Sequence, residues 1–196
     1  MKKIVLASAS ARRDRILSDC GINHDVIISD AEEMKNKEFH VSGLVRINAE
    51  NKAEKVKKSC PDSIIISADT LVAHEEDIIG KPSDEDEAMC LLKKFSGGTI
   101  EVYTGICVLD TGNGNKTIDH DKSVIWMDLP DPEDIERFFR LLGPYDKAGG
   151  FSIEGAGAML FDNIEGSYFN ILGLPVMKLK KMFKQIGLNI LDYMNN

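Results

Sequence analysis

Residues 62–74 read DSIIISADTLVAH, and how this stretch is parsed decides the fold. Ile64, Ile65 and Ile66 form a short unbroken apolar run, the pattern of a buried strand. The strand runs straight into Asp69 and Thr70, which puts a carboxylate at its end. Asp69 has two readings from its residues alone: a cap for Thr70 and the following turn, or a functional acid.

Working towards the N-terminus, KIVLA (residues 3–7) reads as a first buried strand, followed by a helix from about Ser10 with Ile16 and Leu17 on its apolar side. Ser8 or Ser10 would cap it. Arg12 and Arg13 then fall in the first turn, where unpaired N–H groups and the positive end of the helix dipole disfavour cations unless an anion is bound there. A phosphate meets that condition. DVIIS (25–29) suits a second strand, and the polar DAEEMKNKEFH (30–40), with Glu32 and Glu33, suits a loop or weak helical turn.

The spacing next predicts a helix from Leu44 to Lys58. With about 100° per residue and Val45 at zero, Ala49 lies near 40°, Val56 near 20° and Lys52 near −20°. Lys52 therefore stands inside the apolar stripe and must snorkel out or point into a cleft. Lys57 falls off the stripe and needs only solvent.

On the C-terminal side, IIGKP (78–82) sets Lys81 between a glycine and a proline. Ser83 reads as the cap of a helix with Ala88, Leu91, Leu92 and Phe95 on one face, ended by FSGG. EVYTGICVLD, TGNGN and SVIWMD form a hairpin or adjacent strands, the Gly/Asn segment between them suiting positive-φ turns. Asp131 and Pro132 open another helix with Ile135, Phe138, Phe139 and Leu142 towards the core, stopped by LLGP. AMLF (158–161) reads as a short strand in a glycine-rich region that also holds Lys147 and Glu154, and a last helix starts at Pro175 with Val176, Leu179, Phe183 and Ile186 buried. Strands alternating with helices give a mixed α/β architecture, with residues 97–143 as a possible semi-independent lobe and a cleft beside it as the natural site.

A hydrophobic fraction of 43% indicates a folded chain, and a net charge of −8 argues against broad adhesion to nucleic acid or anionic lipid while leaving room for a local basic pocket. Cys20, Cys60, Cys90 and Cys107 show neither CxxC nor zinc-ligand spacing and are expected as buried free thiols. MKKIVLASASARRD has too short an apolar run for a signal peptide, and no stretch suits a bilayer span, so a reducing, cytoplasmic location is the expectation.

Arg12, Arg13, Lys52, Lys81 and Lys147 are cations suited to phosphate oxygens, arginine by its rigid fork and lysine as a compact charge. Each read singly is most often a solvated surface charge; the position of Lys52 sets it apart. Asp69 with Glu33 could hold Mg²⁺, which prefers carboxylate and phosphate oxygens and would polarise a phosphoryl oxygen. An aspartate of ordinary pKa is a weak base at neutral pH, so metal assistance is physically sounder than proton abstraction by an acid alone. TGNGNK (111–116) lacks P-loop spacing, and no local Cys or His motif signals a nucleophilic triad.

LASASARRDRIL, ISADTLVAHEEDIIGKP, FSGGTIEVYTGICVLD, DKAGGFSIEG and GSYFNILGLP together resemble the Maf family of nucleoside triphosphate pyrophosphatases, also described as septum formation inhibitor-like proteins. The resemblance implies an elongated α/β fold like that of inosine triphosphate pyrophosphatases, with a central mixed β-sheet, two lobes and a deep cleft. It implies hydrolysis between the α and β phosphates to a nucleoside monophosphate and pyrophosphate with a divalent cation, Mg²⁺ or Mn²⁺, often by a homodimer. By motif, Asp69 matches the proton acceptor, Glu33 a metal- or water-positioning acid, Arg13, Lys52, Lys81 and Lys147 the phosphate-facing cations, and Ser8 a phosphate ligand. Arg12, Thr70 and Glu154 match positions that distinguish subgroups. Arg12 and Thr70 resemble the dTTP/UTP group, in which IQG stands where this chain has IEG; Glu154 accepts the N3–H of uracil or thymine but donates no amide N–H. That departure leaves CTP or a modified pyrimidine nucleotide as further substrates. Ala11 replaces the Pro of SPRR, and Glu101 the His of SGRxH. A nucleotide-sensing regulator of cell division or septation with little turnover is the alternative reading.

Overall fold

The computed structural model describes residues 1–34, 39–75, 77–128, 131–142 and 152–194. The expected site residue Lys147 lies outside them. Strand β1 (Lys3–Leu6) leads into helix α1 (Ala11–Asp19), followed by β2 (Asp25–Val26), α2 (Val41–Lys57), β3 (Ser63–His74), β4 (Asp77–Ile79) and α3 (Glu85–Phe95). After the long strands β5 (Thr99–Asp110) and β6 (Lys116–Met127) come α4 (Pro132–Leu142), a 3₁₀ segment (Gly155–Leu160), β7 (Phe161–Glu165), α5 (Tyr168–Leu172), α6 (Val176–Gln185) and a final 3₁₀ turn (Ile190–Tyr193).

Two compact units result, one of residues 1–70, 104–121 and 172–196, the other of 71–103 and 122–171. In the first, the strands run in the order β2-β1-β3-β5-β6. β1 is parallel to both neighbours, with Leu6 opposite Val26 and Ile66. In the second, β4 joins β3 and β7 joins β6, both antiparallel, so the sheet is mixed. The β5–β6 hairpin closes where the Asp110 N–H donates to the Asn115 carbonyl (2.8 Å). None of the helices among the described residues is long and apolar enough to cross a membrane.

Helix α2 is seated on the sheet of the first unit by small residues. Ala49 and Ala53 pack with Val56 against Val5, Ile65, Cys107 and Leu109. Gly105 in β5 makes the approach possible: a Cβ there would stand 2.1 Å from the carbonyl oxygen of Val45. On the β3 side, the Ser67 hydroxyl donates to the Ala49 carbonyl (2.5 Å), a bond the helix ladder leaves room for on the oxygen's second lone pair. The second unit has its own core, in which Ala88, Leu92 and Phe95 of α3 and Ile135 and Phe139 of α4 meet Val72, Ile100, Val102, Ile125 and Met127.

Several sequence expectations are corrected. β3 does not stop at Thr70 but continues to His74, because β4 supplies a ladder for Val72–His74. α2 starts at Val41, with the His40 side chain accepting from the Ser42 N–H, rather than at Leu44. The cap of α3 is Asp84, whose carboxylate accepts from the Glu87 N–H (2.8 Å). Ser83 instead donates its own N–H and hydroxyl to the Glu87 side chain, the reciprocal half of a capping box shifted by one residue. DVIIS pairs over only two residues, and AMLF belongs mostly to the 3₁₀ segment, the strand beginning at Phe161. Cys60 and Cys107 are buried free thiols, but Cys90 is exposed on α3 and Cys20 is half-buried.

Two outcomes follow from this packing. Gly105→Ala forces backbone apart rather than a side chain aside, and should cost about 3 kcal/mol, at the upper end for overpacking, lowering Tm by roughly 6–12 °C in a thermal melt. Burial pushes the Cys107 thiol up to about 12. Since the thiolate is the nucleophile, iodoacetamide at pH 8 should alkylate Cys90 first and reach Cys107 only after unfolding, as read by peptide mass spectrometry.

Candidate active site

The first unit gathers most of the sequence-predicted site residues on three elements: the start of α1, the middle of β3 and one face of α2. Strand alternation aims Ser67 and Asp69 at the same side, and that side is α2. Asp69 is 4% exposed. Its Oδ1 accepts from the Lys52 ammonium (2.6 Å), and its Oδ2 from the Asn48 amide nitrogen (3.0 Å). Asn48 and Lys52 are four residues apart, hence stacked on one helix face.

The same ammonium reaches Glu33 Oε1 at 2.8 Å. Lys52 is 12% exposed and Glu33 46%, so the ion pairs run from the buried carboxylate out to a half-exposed one. Lys52 thus does point inward from the apolar stripe, its charge shared by two acids.

A second cluster forms around Arg13, buried on α1. Ser10 is the helix cap, accepting from the Arg13 N–H, and Ser8 is not. Ser8 Oγ instead accepts from the Ser10 N–H (3.2 Å) and from Arg13 Nη1 (3.2 Å). Arg13 Nε donates to the Gly173 carbonyl (2.7 Å) and Nη2 to Thr70 Oγ1 (2.9 Å), which also contacts Thr104 Oγ1 (2.9 Å). Gly173 holds this position at φ +100°, where a Cβ would stand 3.1 Å from Thr70 Oγ1 and 3.3 Å from Arg13 Nε. Burial lowers the Arg13 pKa, and the carboxylates of Asp69 and Glu33 oppose that effect. The fork is therefore engaged with protein acceptors on three of its nitrogens while Arg12, its neighbour, is half-buried.

Lys81 and Glu154 belong to the second unit. Lys81 is exposed, and the half-buried Glu154 accepts from the Ser152 hydroxyl (3.5 Å), its own N–H donating back to that oxygen. Glu101, a departure from the resembled motif, pairs with Lys122 and accepts from the Tyr103 hydroxyl (2.8 Å).

Among the described residues no group of three or more His, Cys, Asp or Glu side chains could enclose a metal ion. Two carboxylates nevertheless converge on one cationic atom, Lys52 Nζ. That donor set fits Mg²⁺ or Mn²⁺ held with substrate, since such ions take one or two carboxylates and complete their shell with phosphate oxygens and water.

The profile of the family described as Maf-like protein matches residues 3–186. The chain belongs to this family. It is 36% identical over 195 residues to a dTTP/UTP pyrophosphatase of Caldicellulosiruptor saccharolyticus, covering 97% of this chain and 98% of that one. It is 40% identical to one of Alkaliphilus metalliredigens, over 97% and 100%, and 41% identical to one of Thermoanaerobacter sp., over 93% and 96%. A solved nucleoside-triphosphatase, a dITP/XTP pyrophosphatase from Mycobacterium abscessus, aligns over 64% of this chain and 74% of that one at 12% identity and a TM-score of 0.37, too distant to support an argument.

Sequence reasoning passed over Asn48, Thr104 and Gly173. Asn48 carried a signal: at about −60° on the helical wheel it borders the same stripe as Lys52. Arg13→Lys keeps a charge but not the fork, so Ser8, Thr70 and the Gly173 carbonyl cannot all be served; urea denaturation should show a loss of about 3 kcal/mol.

Proposed function

We propose that this Maf-family chain hydrolyses dTTP and UTP between the α and β phosphates, releasing a nucleoside monophosphate and pyrophosphate. The observation that carries the chemistry is the convergence of Asp69, in the middle of β3, and Glu33, in the segment before α2, on the Lys52 ammonium beside the Arg13 cluster. The substrate class rests on near-full-length similarity to relatives that are dTTP/UTP pyrophosphatases.

In this reading Asp69 and Glu33 hold a divalent cation. When bound, it supplies Lewis-acid polarisation of a phosphoryl oxygen and a more acidic water. The remaining work belongs to the chain. Asp69, held at Oδ2 by Asn48, accepts the proton of the attacking water. Lys52, released from both carboxylates, meets the negative charge growing on the bridging and terminal oxygens. By the family motif Ser8, Arg13, Lys81 and Lys147 are the phosphate ligands, and Arg13 also fixes the Thr70 hydroxyl. Arg12, Thr70 and Glu154 select the base, with Glu154 taking the N3–H of a pyrimidine. The substrate range then extends towards CTP and modified pyrimidines, and the protein keeps such nucleotides out of nucleic acid. As a homodimer it should sediment at twice its chain mass.

Purified protein with Mg²⁺ or Mn²⁺ should release pyrophosphate from dTTP and UTP, and EDTA should abolish the release. Asp69→Asn should lower kcat by about 10²–10⁴-fold, the range expected for a lost acid–base group, with the fold retained by circular dichroism. A folded wild-type chain that releases no pyrophosphate from any pyrimidine triphosphate overturns the proposal.

A further inference from the structure

Asn48 is 2% exposed, one helical turn before Lys52, and none of the site roles above depends on its making contact with a nucleotide. Its side-chain amide makes three hydrogen bonds. Nδ2 donates to Asp69 Oδ2 (3.0 Å) and to the Met34 carbonyl (3.2 Å), while Oδ1 accepts from the Met34 N–H (2.7 Å). Only one orientation of the amide is possible. A flipped amide would turn its oxygen against a carboxylate and a carbonyl, both acceptors, and its NH₂ against an N–H.

Met34 follows Glu33 directly, so both backbone bonds of Asn48 fix the segment that carries Glu33. The pattern is reciprocal with that of Lys52. Each of the two α2 side chains takes one oxygen of Asp69, and each also holds the 33–34 segment, Lys52 by the Glu33 carboxylate and Asn48 by the Met34 backbone. Lys52 is a flexible stem bearing a charge that substrate phosphates would compete for. Asn48 is short, neutral and buried, and phosphate has no claim on it.

We propose that Asn48 is a positioning residue for the acid pair: it holds the Asp69 carboxylate and the Glu33 segment at a fixed separation when Lys52 turns to the phosphates. The inference rests on the pyrophosphatase reading above and adds a residue to it. With Asn48 in place, departure of the ammonium leaves Asp69 Oδ2 and the Met34 backbone still tied to α2; without it, both acids lose their common support at the moment they are needed.

The test compares wild type, Asn48→Leu and Asn48→Asp by steady-state kinetics with dTTP and Mg²⁺, and by amide hydrogen exchange at Met34. Leucine keeps the volume and removes all three bonds. Aspartate keeps an acceptor for the Met34 N–H but sets a carboxylate against Asp69. Misplacement of catalytic groups by about an ångström costs on the order of 10²-fold. The expected result for Asn48→Leu is a fall in kcat of roughly 30–100-fold with KM within about threefold, and faster Met34 exchange. Asn48→Asp should protect Met34 as wild type does yet lose at least as much kcat, a split that loss of general stability would not produce. An active wild type with kcat retained in folded Asn48→Leu, or with Met34 exchange unchanged in that variant, overturns the positioning role alone. A wild type without turnover on any pyrimidine triphosphate overturns the reading beneath it, and Met34 exchange then still reports whether the clamp exists.

Discussion

Asp69 is a carboxylate taken almost wholly out of water, and an unpaired charge there would cost several kcal/mol. The sheet cannot supply partners, because strand backbone groups are committed to the ladder. Both come from α2, and they arrive only if that helix lies close enough for a four-atom amide side chain to touch the strand. The alanines of α2, the Ser67 hydroxyl on the Ala49 carbonyl and the bare Cα of Gly105 serve that single requirement. Remove the close approach and the acid is stranded; keep it, and Lys52 and Asn48 fall onto its two oxygens without further adjustment.

The two adjacent arginines in the first turn of α1, Arg12 and Arg13, divide differently from a simple phosphate grip. Arg13 is drawn inward, and its guanidinium links Ser8 before the helix, Thr70 beside the acid and the Gly173 carbonyl far along the chain. A planar fork with five donors suits that task, and three separate segments of sequence are thereby held at one point. The first turn of α1 thus answers the sequence's question about misplaced cations partly from within: some of the compensating oxygen belongs to the protein itself.

Much of the architecture was legible in the sequence because it depends on local pattern. The isoleucine run announced β3, the three-and-four spacing announced α2, α3 and α6, and Lys52 within an apolar stripe announced a charge that had to snorkel out or enter a cleft. Expectations failed where a neighbour distant in sequence decides. β3 outlives Thr70 because β4 returns to pair with it, DVIIS is cut short because β1 offers so few partners, and AMLF winds as 3₁₀ before it reaches the β6 edge at Phe161. Ser83 and Asp84 are both competent caps, and propensity alone does not choose between adjacent oxygens. At the site, residue type pointed to Asp69, Glu33 and Lys52, since charge is conspicuous. Asn48 was passed over because a single asparagine on a helix flank has no charge to explain, and its meaning lies in the Met34 backbone fourteen residues earlier.

The Gly105 seam has a consequence for how this chain tolerates change over generations. Where two side chains meet, a gain in one is matched by a loss in the other, and drift proceeds by paired exchange. Here the opposing surface is the peptide group between Val45 and Arg46, which every amino acid carries alike. Exchange of a neighbouring side chain does not shrink that peptide group, so in a saturation library position 105 should be held to glycine more strictly than the larger apolar residues around it.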